Sequence, residues 1–219
     1  EVKFKSGYIK QRGTNKFIGY PIKEYLTNYN KRVPEYDTMN LFNETMQKIE
    51  VYEIEDDFFV YEKAIVNKLE YELIERVKSY VTDLKEKYHK AVYLLRMDEN
   101  MHRESAKSEK LKLHQYGSRM NRSGEVTETH LQGFQPDFIL FLEDSEFYFQ
   151  IFIEPKGMSG DRFISELWKQ DLLLYMTDNQ GEMEFEANEE NVRISGLKFY
   201  TRGDGQNTME QLADIVQTR

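Results

Sequence analysis

Two apolar runs separated by a short polar break constrain this chain more than anything else in it. They are Phe134 to Leu142 and Phe147 to Ile153, with Glu143-Asp144-Ser145-Glu146 between them. Each is too short for a membrane span and rich in aromatic and β-branched side chains, so the pair predicts a β-hairpin. Both strands are apolar on both faces, which suits a covered, central position in a sheet. Polar residues cluster at one end of this hairpin: Pro136-Asp137 in the first run, and Glu154-Pro155-Lys156-Gly157 closing the second.

Strand geometry gives that placement a chemical meaning. Residues two apart share a face, so Glu154 and Lys156 point the same way. A loop with an even number of residues, Asp144-Ser145 alone or Glu143 to Glu146, sets Asp137 across from Phe152. That is one diagonal from Glu154 and on the same face; an odd loop would separate the two carboxylates. Pro155 cannot donate to a ladder, so regular pairing is expected to end there, leaving its carbonyl free to face a metal. Magnesium takes oxygen ligands, commonly one or two carboxylates plus waters and substrate phosphate oxygens. Asp137, Glu154 and the Pro155 carbonyl form such a set, and Lys156 adds a cation that can hold a nucleophile or stabilise developing charge. The competing reading is a buried hairpin ending in an ordinary Glu154–Lys156 surface ion pair. Carboxylates set at apolar strands, where an uncompensated charge is costly, favour the site.

These residues resemble the PD-(D/E)xK nuclease superfamily. The wording is closest to the C-terminal endonuclease domain of the restriction (Res) subunit of type III restriction enzymes. That domain carries an aromatic-rich Pro-Asp-Phe strand and an Ile-Phe-Ile-Glu-Pro-Lys-Gly strand, as here. It also has a tryptophan-containing helix, matched by Leu167-Trp168-Lys169-Gln170-Asp171-Leu172-Leu173, and an earlier strand like Tyr93-Leu94-Leu95-Arg96. The resemblance covers Phe59 to Thr201. It implies an α/β fold with a restriction-endonuclease-like core, a mixed central β-sheet flanked by helices. It further implies a magnesium-dependent endonuclease domain over residues 59–219, with manganese as a substitute, cutting double-stranded DNA. Such a domain works within a larger enzyme, beside an upstream helicase/ATPase domain of the same polypeptide and a modification methyltransferase subunit. The family's upstream helix usually adds one acidic residue to the metal site, which points to Glu70, with Glu75 as competitor. After the lysine motif, Lys169 or Gln170 is expected to face the site, and both are candidate DNA contacts. Trp168 reads as a core anchor.

The chain's charge bears on that expectation. Thirty basic against 39 acidic residues leave a net charge of -9, and an acidic domain grips DNA phosphates poorly by itself. The basic residues are unevenly spread: Arg103, Lys107, Lys110, Lys112, Arg119 and Arg122 crowd the segment before the hairpin, a candidate DNA contact. Cysteine is absent, which excludes disulfides, thiol catalysis and zinc ribbons and fits a cytoplasmic setting. No apolar run approaches a membrane span. No phosphate-binding Gly-x-x-x-x-Gly-Lys-Ser/Thr loop occurs, so any ATP use belongs to the upstream motor domain. The first residue is Glu1, in keeping with a module excised from a longer protein. A second reading, from a different class, is a catalytically silent docking module that holds the motor on its methyltransferase partner.

Periodicity supplies the remaining elements. Residues 1–58 read as an N-terminal linker or docking segment with short strands such as Phe17-Ile18-Gly19-Tyr20, and helical patterning also fits Met39 to Ile49. Apolar residues at three- and four-residue spacing predict a helix from Tyr61 to His89. Strands are expected at Ala91–Met97, Leu111–Tyr116 and Val192–Tyr200, the last kinked at Ser195-Gly196. Helices are expected at Asp161–Met176 and Met209–Val216, and Asp98–Lys110 and Gly117–Thr129 read as loops.

Overall fold

The computed structural model describes residues 7–10, 16–20, 49–60, 63–97, 113–120, 126–157, 160–180, 184–185 and 191–217. Within them the chain runs β1 (Gly7–Lys10), β2 (Lys16–Tyr20), β3 (Ile49–Glu53), β4 (Lys63–Asn67), α1 (Lys68–Lys87), β5 (Ala91–Arg96), β6 (Leu113–Met120) and β7 (Val126–Phe134). It continues through β8 (Phe138–Glu143), β9 (Tyr148–Ile153), α2 (Asp161–Asp178), β10 (Glu184–Phe185), β11 (Val192–Gly196) and α3 (Gly205–Gln217).

A four-stranded sheet in the order β11-β9-β8-β5 carries the core. Strands β5, β8 and β9 pair antiparallel, and β11 joins β9 in parallel after the α2 crossover, so the sheet is mixed. Alternation sorts its side chains onto two faces. Phe138, Leu140, Leu142, Ile151 and Ile153 meet Leu73, Ile74 and Val77 of α1 and Leu212 and Val216 of α3. Ile139, Phe141, Phe152 and Ile194 meet Leu173 and Met176 of α2. Both central strands are therefore covered on both faces, as their predominantly apolar sequence requires, with Gln150 the buried polar exception within β9. Smaller pairings surround this sheet: β1-β2-β10, β3-β4 and β6-β7.

Local chemistry explains the element ends. Asn67 caps α1: its side chain accepts from the N–H groups of Leu69 and Glu70, while Glu70 accepts from the Asn67 N–H at 2.7 Å. This reciprocal capping box satisfies amides that a helix start otherwise leaves unpaired. Gly196 ends β11 with α2 packed tightly against it; a Cβ there would stand 2.6 Å from that of Leu173. The Thr177 hydroxyl holds the same point, donating to the Gly196 carbonyl and accepting from its N–H.

Several boundaries differ from the sequence-based expectation. The helix expected from Tyr61 starts only at Lys68, because Lys63–Asn67 pairs antiparallel with Ile49–Glu53. Leu113–Met120 and Val126–Phe134 form a second hairpin, so most of the loop expected at Gly117–Thr129 is strand. The apolar run from Phe134 is divided: Phe134 ends β7, a bend at Gln135–Asp137 follows, and β8 begins at Phe138. Strand β11 stops at Gly196, and Tyr200 contributes an isolated parallel bridge to Pro155. Residues 49–58 contribute to the main core through Ile54 and Phe58, and Tyr52 stacks on Tyr71 of α1. Of the helical pattern at Met39 to Ile49, all but Ile49 lies outside the described residues.

Candidate active site

The polar end of the hairpin is built by register. Glu143 pairs with Tyr148 and Phe138 with Ile153, so Asp137 stands directly across from Glu154 rather than one diagonal away. The turn explains the shift. The Asp144 carboxylate accepts from the N–H groups of Glu146 and Phe147, at 2.7 and 2.6 Å. The loop thus runs from Asp144 to Phe147, and Glu143 stays in its strand. The loop remains even, so both carboxylates keep one face, the face covered by α2.

At that end the Asp137 N–H donates to Glu154 Oε2 at 2.9 Å, and Lys156 Nζ lies 2.7 Å from Glu154 Oε1. Glu154 is buried, with 3% of its surface exposed. Its backbone is held from the other side by Tyr200, whose N–H donates to the Glu154 carbonyl while Lys156 N–H donates to that of Tyr200. Carbonyls alternate along a strand, and those of Phe152 and Glu154 are turned to the β11 side. The Pro155 carbonyl is therefore directed to the β8 side, where the bend at Gln135–Asp137 lies.

Electrostatics single out Asp137. The residue is partly exposed, yet burial of its carboxyl, reinforced by Glu154 and Glu70, pushes its pKa up to about 8. Arg96 and Lys156 pull the other way without prevailing. Among the described residues no ammonium or guanidinium lies within salt-bridge distance of it. Burial also raises Glu154, against the pull of Lys156. Burial lowers Lys156, but Glu154 and Glu166 outweigh it and carry the ammonium to about 12. The two sides of that pair differ because the ammonium has two carboxylate partners, whereas Glu154 has one ammonium and lies deeper.

Glu70 occupies the first turn of α1, buried. Its two oxygens are engaged, Oε2 by the Asn67 N–H and Oε1 by Arg96 Nη2 at 3.1 Å. Glu75, the competing choice, is exposed. Among the described residues no three Asp, Glu, His or Cys side chains are grouped to ligate one ion. Glu70 is an electrostatic neighbour of Asp137 and caps the start of α1, and both of its oxygens are engaged, as are those of Glu154. Of the helix positions after the motif, Lys169 reaches the site: it lies 2.9 Å from Glu166 and over the Phe134 ring. The Gln170 side-chain oxygen accepts from the Phe199 N–H at 2.8 Å, tying α2 to the chain beyond β11. Trp168 packs edge-on against Phe134. Arg103, Lys107, Lys110, Lys112 and Arg122 lie outside the described residues. Arg119 belongs to β6, paired with Thr127, and its side chain lies outside them too.

Sequence reasoning missed two residues. Arg96 closes on Glu70 from β5. Glu166 lies 2.7 Å from Lys156 Nζ and also holds Lys169. Helical spacing could have flagged Glu166, which is three positions before Lys169 and on the same face.

The donor set suits a hard divalent cation: two carboxylates on one face, both raised in pKa chiefly by burial, and a backbone carbonyl directed toward the same bend. Magnesium completes its octahedron with water, so two carboxylates are enough.

No family model matches the chain, and no solved structure matches it. It is similar to an uncharacterized protein of Haemophilus influenzae, 29% identical over 159 residues, which is 67% of this chain and 29% of that protein. The likeness therefore spans under a third of the relative's length. Among the described residues no helix is long and apolar enough to cross a membrane.

Proposed function

We propose that this chain is a magnesium-dependent endonuclease module that hydrolyses DNA phosphodiester bonds, the cleavage part of a type III restriction enzyme's restriction subunit. The observation that carries the reading is Asp137 facing Glu154 across the hairpin, with Lys156 on the same carboxylate. The order of elements supports it as well: a helix bearing Glu70, a strand, the hairpin, a helix and a parallel strand about one mixed sheet. So does the wording of the motif, Pro136-Asp137 with Glu154-Pro155-Lys156.

Asp137, Glu154 and the Pro155 carbonyl would hold the magnesium, or manganese in its place. Bound there, such an ion would supply a water of lowered pKa and would neutralise charge on the phosphoryl oxygens. Glu154 fixes the bend through the Asp137 N–H, which keeps the two carboxylates in step. Lys156 has three N–H donors; two meet Glu154 and Glu166, leaving one for the attacking water or a phosphate oxygen. Lys169 adds a second cation within reach of a DNA backbone. Target recognition and ATP use fall to the methyltransferase subunit and to the upstream motor domain of the same polypeptide.

Alanine at Asp137, Glu154 or Lys156 is expected to abolish DNA cleavage by the intact enzyme while ATP turnover continues. Cleavage retained by any two of these variants would defeat the assignment. Titration calorimetry with manganese separates the alternatives directly: Asp137→Ala should lose the binding. Equal binding by variant and parent would favour the silent docking module.

A further inference from the structure

Helix α2 rests on the sheet unevenly. Its two buried residues, Leu173 and Met176, both lie in its second half. The first half adds polar contacts to the edge-on ring contacts of Phe163 with Phe199 and Trp168 with Phe134: Glu166 meets Lys156 and Lys169, and Gln170, just past the midpoint, accepts from the Phe199 N–H. A line of alternating charge results, Glu154, Lys156, Glu166, Lys169, running from the hairpin onto the helix. The three side chains after Glu154 are only about a fifth exposed or less, at 12, 21 and 18%.

We propose that Glu166 is a positioning residue of the nuclease site, a reading that rests on the function argued above. A lysine side chain is a flexible four-carbon stem ending in a point charge, and nothing in its own chemistry fixes that charge. Glu154 alone would anchor one N–H of Lys156 and leave the ammonium free to swing about that contact. Glu166 takes a second N–H from the helix side at the same 2.7 Å. The third N–H is then confined to the remaining tetrahedral direction, with the Phe199 ring 5.7 Å from the ammonium. Glu166 also brings Lys169 beside Lys156, two like charges that would otherwise separate. Its part in the reaction is thus exerted through Lys156.

The test has two arms on the intact protein. In the first, acetylation of individual lysines by sulfosuccinimidyl acetate is followed by mass spectrometry, without metal or DNA. Glu166→Gln keeps the shape of the side chain and should speed modification of Lys156 several-fold. Lys78, whose ion pair with Asp56 is remote and exposed, should be unaffected. In the second arm, cleavage is measured with magnesium, ATP and duplex DNA. Glu166→Gln should lower kcat about tenfold to hundredfold, the scale of a misplaced reacting group, with KM for DNA unchanged. Glu166→Asp should recover part of the loss. Gln170→Ala loosens the same helix without touching Lys156 and should have much the smaller effect. Unchanged Lys156 labelling in Glu166→Gln would overturn the proposal. So would an unchanged kcat where Asp137→Ala is dead, or an equal loss in Gln170→Ala, which would reduce Glu166 to a docking contact. Cleavage surviving Asp137→Ala would instead overturn the nuclease reading, and the catalytic purpose of Glu166 with it.

Discussion

Asp137 carries an unusual burden for a single side chain, since its carboxyl resists ionisation up to about pH 8. An aspartate in an unfolded chain titrates near 3.9. Between those two values the folded protein holds a proton that the unfolded protein has released. Unfolding free energy therefore falls as pH rises through that window. With a chelator present, the midpoint of thermal unfolding should drop from pH 5 to pH 8, and Asp137→Asn should flatten the drop. Magnesium at pH 8 should recover stability in the parent and not in the variant. Identical pH profiles for the two proteins would contradict the assigned environment. That Asp137 and Glu154 share a face was legible in the sequence only on the condition of an even loop, and the register of the hairpin supplies that condition. Arg96 was not legible as a site residue, and helical spacing could announce Glu166 only through Lys169, not through Lys156. Their partners come from other elements, and no local pattern announces a meeting that only the tertiary fold arranges.

The elements themselves were read with uneven success, for physical reasons. The central hairpin, α2 and the strand at Ala91 stood out because their periodicities are long or unambiguous. Ala64, Ile65 and Val66 satisfy a helical stripe and a strand equally well, and pairing with β3 decided between them. The expected register was off by two residues because the Asp144 carboxylate, rather than residue polarity, defines where the turn begins. Two substitutions probe the element ends. Asn67→Ala removes half of the capping box and should cost about 1 kcal/mol, seen as a small fall in melting temperature. Gly196→Ala forces a methyl group against the Cα, Cβ and carbonyl oxygen of Leu173 and should cost about 1–3 kcal/mol, a loss that no trimming of the Leu173 side chain relieves. A Gly196→Ala protein as stable as the parent would mean that α2 is not seated on β11 as described.

At the scale of the whole molecule, charge limits what the chain does unaided. A net charge of -9 leaves little general attraction for a polyanion, and the lysines at the site are already committed to carboxylates. On the nuclease reading, this chain alone should bind duplex DNA weakly at physiological salt, with Kd of about 10⁻⁴ M, the weak end of non-specific binding. Fluorescence anisotropy on a labelled duplex measures this directly, and a nanomolar Kd would show that the chain carries its own DNA grip. Delivery by a motor and a recognition subunit would then be unnecessary.

The Asp144 turn has a use for anyone wishing to modify this protein. It stands at the far tip of the hairpin, about 24 Å from the carboxylates at roughly 3.4 Å per residue, and takes no part in the chemistry. Yet a fusion, epitope or reporter spliced between Glu143 and Tyr148 is tolerable only if both flanking strands stay aligned as they are. Slippage by a single position would send one carboxylate toward α1 and leave the other beneath α2, dismantling the site without altering any of its residues.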